Sequence, residues 1–136
     1  MSPNTRLFCG VILITIPAIQ YGGYFLLRIL SHKTGKTLTD FQRSMFRAGH
    51  AHAGVLVILS LIAEILTDES GFTGAMMWII RIGFPAAAIL VSGGFFAAAA
   101  GKDRTTPNKY IIILCLGILS LAVASISLGI GLVRNS

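Results

Sequence analysis

The chain has 136 residues, of which 54% are hydrophobic and only 12% are charged, and its mean hydropathy is +0.81. A soluble domain usually has about a quarter of its residues charged, so we expect most of this surface to face lipid rather than water. The net charge of +6 does not point to a nucleic-acid partner, because the basic residues lie at the ends of apolar segments instead of on one polar surface.

The first apolar segment, residues 7–30, follows Ser2 and Pro3, a pair typical of a helix N-cap and first turn. It is longer than the core of a cleavable signal peptide, which is about 7 to 15 residues, so we expect a retained helix. A polar, glycine-containing segment follows, in which Thr39 and Gln42 have the spacing of a capping box. The second helix is therefore expected to begin as an interfacial turn before it enters the bilayer.

The second membrane segment is predicted at residues 46–66, and this prediction brings two histidines into the bilayer. Its most apolar part, residues 55–66, has 12 residues, whereas a crossing helix needs roughly 20. The crossing segment must therefore include His50 and His52. The other two helices are predicted at residues 75–100 and 110–133. The predicted fold is an all-α integral membrane protein, a single four-transmembrane-helix bundle.

Lysine and arginine are distributed unequally between the two ends of the predicted helices. Eight flank the loops between helices 1 and 2 and between helices 3 and 4, and three belong to the opposite end. The positive-inside rule places the more basic loops in the cytoplasm, so we expect both termini on the outer side of the cell's inner membrane. The eight are Arg28, Lys33, Lys36, Arg43, Arg47, Lys102, Arg104 and Lys109, and the three are Arg6, Arg81 and Arg134.

Two charged residues lie inside the predicted membrane segments, near the same membrane face. Glu64 is close to the end of helix 2 and Arg81 close to the start of helix 3, and a short turn joins these helices. Because charge inside the bilayer is costly unless it is paired, we expect a structural ion pair between them. A proton-linked carboxylate at Glu64 is the alternative.

Small residues recur at three- and four-residue steps in helices 3 and 4, which predicts that these helices pack closely. Small side chains let helix backbones approach each other when lipid removes the hydrophobic drive for association. An aqueous pore along these faces is the alternative. The stripes are Gly83, Ala87, Gly94, Ala97 and Gly101 in helix 3, and Gly117, Ser120, Ala124, Ser127 and Gly131 in helix 4.

The two histidines of helix 2 are the candidate metal ligands, because imidazole binds copper, zinc and haem iron. Residues two apart on a helix point about 200° apart, so His50 and His52 cannot both bind one metal ion from one regular helix. We expect His50 to face the interior of the bundle. In a symmetric oligomer, one histidine from each chain can surround a metal on the axis.

A candidate cofactor site is predicted around His50, on the cytoplasmic half of the bundle. Helix 1 presents Gln20, Tyr24 and Arg28 at four-residue spacing, and Arg47 precedes His50 on helix 2. A haem needs an axial imidazole and cations for its propionates, whereas a quinone head needs hydrogen-bonding partners such as His, Tyr or Arg. The histidines and their neighbours can also serve only to hold the helices in register.

The leading functional hypothesis is a membrane subunit that binds haem or a transition metal, with a link to quinone. A small homo-oligomeric ion channel or transporter, with His50, Glu64 and Arg81 along its path, is the second, and a structural or assembly subunit of a larger membrane complex is the third. The His50-Ala51-His52 element resembles those of haem-copper oxidase-type membrane proteins over three residues, which implies no site assignment. Membrane lipids are expected partners. We expect no soluble-type enzyme chemistry.

Overall fold

The computed structural model describes residues 1–31 and 38–136, and every regular element within these ranges is an α-helix. Four helices are long and apolar enough to cross a membrane, and successive helices run in opposite directions. They are α1 (Pro3–Leu30), α2 (Asp40–Thr67), α3 (Gly74–Ala98) and α4 (Ile111–Arg134). Lys33 and Lys36, which entered the prediction of orientation, lie outside the described residues.

The helix boundaries are set by local capping. α2 begins six residues before the predicted membrane segment, because Thr39 and Gln42 form the complete capping box. α1 begins at Pro3, as the Ser2-Pro3 pair predicted and four residues before the apolar segment. The hydroxyl of Ser2 accepts a hydrogen bond from the Thr5 backbone N–H at 3.2 Å. The boundaries of α3 and α4 lie within two residues of the predicted ones.

We call the end of the helices that holds both chain termini the terminal end, and the opposite end the basic end. At the basic end, the side chain of Gln42 donates hydrogen bonds to the carbonyls of Ala99 at 3.1 Å and Gly101 at 2.8 Å. The hydroxyl of Thr39 donates to the carbonyl of Arg104. These bonds satisfy the carbonyls after α3, which have no helical partner, and fix how far α2 lies along α3.

The core is shared by α2, α3 and α4, and the contact between α3 and α4 is the closest in the protein. Gly94 shows how close: a Cβ atom built there would lie 2.5 Å from the backbone nitrogen of Leu114 on α4. Such close approach between small residues is how helices associate in lipid. The core side chains are Ala63, Ile80, Phe84, Ala124 and Leu128.

Helix α1 is packed differently from the other three. It lies chiefly against α2, and large apolar side chains such as Leu13, Ile14 and Leu27 are more than half exposed. Because α1 does not close against α3, a cleft stays open between these helices, with α2 as its floor. This cleft is a candidate ligand-binding site.

Candidate functional site

The structure contains two polar arrangements on otherwise apolar helices, one at the terminal end and one in the cleft. The first, which we call the terminal cluster, consists of Ser2, Thr5, Glu64, Asp68 and Arg81. Arg81 is 2% exposed and Glu64 is 1% exposed. The guanidinium of Arg81 binds the Glu64 carboxylate through Nη1 at 2.6 Å and the Asp68 carboxylate through Nη2 at 2.7 Å.

The same cluster fastens the start of α1 to the other helices. Asp68 accepts hydrogen bonds from the backbone N–H and the hydroxyl of Ser2, at 2.7 and 2.9 Å, and from the hydroxyl of Thr5 at 2.8 Å. Nη1 of Arg81 also donates to the Thr5 hydroxyl at 2.9 Å. Buried charges are stable only when they are paired and hydrogen-bonded, and here that pairing joins three helices. The cluster is therefore an attachment point for α1.

Asp68 follows the last residue of α2, and its environment favours the ionised form. Partial burial opposes ionisation, but the hydrogen bonds from Ser2, Thr5 and Arg81 outweigh it and hold the pKa of Asp68 well below its ordinary value of 3.8. A carboxylate with a lowered folded pKa stabilises the protein above its ordinary pKa, and that contribution is lost as the pH falls through the lower folded pKa.

We expect the unfolding temperature of the purified protein to fall below about pH 4 through Asp68, because the unfolded chain then binds a proton at this carboxyl group that the folded protein does not. In Asp68→Asn this contribution is already lost at neutral pH, so the variant should be less stable at pH 7 and respond less to acid. Thermal unfolding of both proteins in mild detergent between pH 7 and pH 3 measures this. If the unfolding temperatures of the two proteins fell in parallel as the pH was lowered, Asp68 would not be a source of the acid sensitivity.

The cleft between α1 and α3 has a volume of about 410 Å³, which is within the usual range for small-molecule sites. It opens outward, since Val11 on one rim is 54% exposed and Ile89 on the other is 73% exposed. No Asp, Glu, Lys or Arg lines it within the described part of the chain. The lining comprises Val11, Ile12, Thr15, Ala18, Ile19, Gly22, His50, Ala53, Val57, Ser60, Pro85, Ala88, Ile89, Ser92 and Phe96.

Among the residues that the structure describes, His50 is the one titratable side chain that lines the cleft. Its imidazole lies against the backbone of α1, where a Cβ atom at Gly23 would lie 2.9 Å from Nε2 and one at Gly22 would lie 3.9 Å from Nδ1. Gly23 therefore makes the room that the ring occupies, whereas a Cβ atom at Gly22 would be in ordinary van der Waals contact with it. His50 is half-buried, and neither ring nitrogen has a hydrogen-bond partner among the described residues.

Ser92 on α3 is the second polar group of the cleft, and its hydroxyl is unpaired. The residue is 8% exposed, and its Oγ has no hydrogen-bond partner in the described residues. The other two hydroxyls that line the cleft are satisfied within their own helices: Ser60 donates to the Leu56 carbonyl at 2.7 Å and Thr15 to the Ile12 carbonyl at 2.6 Å. A buried hydroxyl without a partner costs about 1–3 kcal/mol. The Oγ itself is covered by protein atoms, so a ligand atom in the cleft reaches it only after the side chain turns toward the opening.

The remaining residues of the predicted cofactor site do not line the cleft. Gln20, Tyr24 and Arg28 lie on the exposed face of α1, where the Arg28 guanidinium is 5.9 Å from the centre of the Tyr24 ring. Arg47 is also exposed. The structure therefore brings His50 to the cleft without the four polar neighbours that the sequence suggested.

His52 lies on another side of α2 from His50. Its Nδ1 is 2.8 Å from the Ala48 carbonyl, and its ring packs on Phe95 with centroids 4.9 Å apart. In residues 1–31 and 38–136, no group of three His, Cys, Asp or Glu side chains is placed to hold a metal ion. The two histidines of one chain therefore do not form a shared site.

A haem does not fit at His50 in this arrangement. Iron binding requires space next to a ring nitrogen for a flat macrocycle, but the α1 backbone at Gly23 covers Nε2. The nearby cations, Arg28 and Arg47, are exposed and stand outside the cleft, so they do not supply the charge that propionates need. We therefore derive no step through a haem.

Sequence reasoning did not identify Gly22, Gly23 and Ser92 as parts of the site. The signal for the glycines was their occurrence as a pair in the middle of a helix, where glycine is unfavourable and needs a reason. Ser92 carried no comparable signal, because its position opposite His50 depends on how α2 and α3 are aligned. Comparisons with protein-family models, with curated proteins and with solved structures found no match to the chain.

Proposed function

We propose that the protein is a multi-pass membrane protein that binds a small, lipid-soluble molecule in the cleft between α1 and α3. One observation carries the proposal: an outward-facing cleft of about 410 Å³ has apolar walls and two polar groups, His50 and Ser92, that have no hydrogen-bond partner among the described residues. Ligand sites are typically apolar with a few polar groups that orient the ligand.

The charge of the residues that line the cleft limits which membrane molecules can bind there. Carboxylate and phosphate groups are recognised by Arg or Lys, and no such side chain lines the cleft in the described residues. A charged head would therefore be buried without a counter-charge, which is costly. The ligand of the cleft is neutral.

Filling the cleft should displace the ligand. Ala18 lines the cleft from α1 and is exposed, so Ala18→Trp places a large side chain in the opening without disturbing the core. Leu13 lies on the opposite face of the same helix and is 52% exposed, so Leu13→Trp is the matched control. We expect extraction in mild detergent, followed by mass spectrometry of bound lipids, to recover one neutral class from the wild type and from Leu13→Trp, and much less from Ala18→Trp.

Equal recovery from all three proteins would contradict the proposal. Loss of self-association or of a partner protein in Ala18→Trp, with no bound lipid in any sample, would also contradict it. That second outcome would instead support a homo-oligomer or an assembly subunit whose partner helix occupies the cleft.

The basic end faces the cytoplasm in this proposal, and both termini lie on the outer side of the inner membrane, because basic residues concentrate in the loops at that end. With Cys9 and Cys115 replaced by serine, an impermeant maleimide added to intact cells should label Ser136→Cys and not Lys102→Cys. Labelling of Lys102→Cys alone would show the inverted orientation.

A further inference from the structure

The two unpaired polar groups of the cleft lie at the same depth. The bond from Gln42 to the Ala99 carbonyl marks a common level on α2 and α3. With a rise of 1.5 Å per residue, His50 lies about 12 Å from that level along α2, and Ser92 about 10 Å along α3. A single ligand head can therefore contact both groups.

The chemistry at this level favours a ring that bears oxygen atoms. A serine hydroxyl both donates and accepts hydrogen bonds, so it suits a head group whose oxygens are carbonyls in one form and hydroxyls in another. His50, whose Nε2 lies against α1, offers the head group its ring to pack on. Phe96 lies one turn beyond Ser92 on the same face of α3 and lines the cleft, which gives a flat ring an aromatic surface to pack on.

The rest of the cleft has the shape and composition for a hydrocarbon chain. From the level of Gly22 to that of Val11 it extends about 16 Å along α1, at 1.5 Å per residue. This part is lined chiefly by branched aliphatic side chains and alanines, together with Pro85 and the internally bonded Thr15 and Ser60. A ligand with its head at Ser92 therefore has room for a chain directed toward the terminal end.

We infer that the cleft binds a quinone with an apolar chain. One ring oxygen is hydrogen-bonded to Ser92 after its hydroxyl turns toward the cleft, the ring lies against Phe96 and His50, and the chain runs toward the terminal end. This inference rests on the proposed function and names the chemical class of its ligand. The inference is about quinone binding and includes no redox step.

The test compares three probes with the same ten-carbon chain but different heads: a decyl benzoquinone, decanol and decyl phosphate. Binding to the purified protein is measured by equilibrium dialysis in mild detergent, and infrared difference spectra follow the quinone carbonyl. We expect the quinone to bind most tightly, with a lowered carbonyl frequency. Ser92→Ala should weaken quinone binding about fivefold, the effect of one neutral hydrogen bond.

The stability of the ligand-free protein separates a binding role of Ser92 from a structural one. Because Ser92→Ala removes an unpaired buried hydroxyl, the ligand-free variant should be as stable as the wild type or more stable. Ser125→Ala is the control, since Ser125 is exposed on α4 and bonds its own helix at the Ala122 carbonyl. It should leave both stability and quinone binding unchanged.

The outcomes distinguish this inference from the proposed function. If decanol binds as tightly as the quinone, or if Ser92→Ala leaves quinone binding unchanged, the quinone assignment is overturned while the cleft remains a lipid site. If decyl phosphate bound most tightly of the three probes, the claim that the ligand has a neutral head group would be wrong. If no probe binds, and Ala18→Trp retains the same lipids as the wild type, both the inference and the proposed function fail.

Discussion

Replacing Arg81 with methionine should destabilise the protein by about 3–5 kcal/mol, the usual cost of breaking a buried ion pair by removing one partner. Arg81→Met leaves the Glu64 carboxylate, which is 1% exposed, without its counter-charge and removes the link to Asp68. Thermal or denaturant unfolding in mild detergent measures the loss. Arg6→Met is the matched control, because Arg6 is exposed on the same end of the protein, and it should change stability by less than about 0.5 kcal/mol.

A double variant shows whether the buried, unpaired charge is the cause. Adding Glu64→Gln to Arg81→Met removes the buried carboxylate that has lost its counter-charge, so part of the lost stability should return; Asp68 is kept because Ser2 and Thr5 still donate to it. If the double variant is less stable than Arg81→Met, the loss is due to packing or hydrogen bonds rather than to charge. If Arg81→Met is as stable as Arg6→Met, the buried cluster does not hold the helices together.

Adjacent glycines of α3 should respond in opposite ways to the same substitution. A Cβ atom at Gly94 would lie 2.5 Å from the Leu114 backbone nitrogen, a contact that no side-chain rotation relieves, whereas one at Gly93 meets no atom within 4 Å. Gly94→Ala must push α3 and α4 apart and should cost about 1–3 kcal/mol through overpacking. Gly93→Ala should be neutral or stabilising by up to about 1 kcal/mol, because alanine favours the helix.

Unfolding of the two variants in the same detergent compares them directly. Equal effects of Gly93→Ala and Gly94→Ala would contradict the close contact between α3 and α4. The comparison is informative because both changes add the same methyl group to neighbouring positions of one helix, and only the distance to α4 differs.

The helices were predictable from composition, because four long apolar segments in so short a chain leave few alternatives. The start of α2 was predictable in detail, since Thr39 and Gln42 have the spacing of a capping box and the structure forms that box. Glu64 and Arg81 were placed at similar depth by the short turn between their helices. The Ser2-Pro3 pair also predicted where α1 begins. The participation of Ser2, Thr5 and Asp68 in the cluster depends on how α1 packs against α2 and α3, which the apolar pattern does not fix.

The cleft was harder to predict, because a sequence does not specify how a helix is rotated about its axis. In α1, the stripe of Gln20, Tyr24 and Arg28 is regular and polar, which made it a natural candidate to face His50. Gly22 and Gly23 lie between these residues in sequence but on another face, and at Gly23 only glycine leaves room for the His50 ring. The position of Ser92 depends on the alignment of α2 and α3, which the hydrogen bonds of Gln42 fix at the basic end, the end nearer to Ser92.

The most direct test of cleft binding is photolabelling in liposomes with a neutral lipid-like probe that carries a diazirine in its chain. Peptide mapping by mass spectrometry then locates the attached label. Binding in the cleft predicts label on the walls of α1 and α3, within residues 11–22 and 85–96, and less label there in Ala18→Trp but not in Leu13→Trp. Label spread evenly over the exposed faces of all four helices, and unchanged in Ala18→Trp, would contradict a binding site in the cleft.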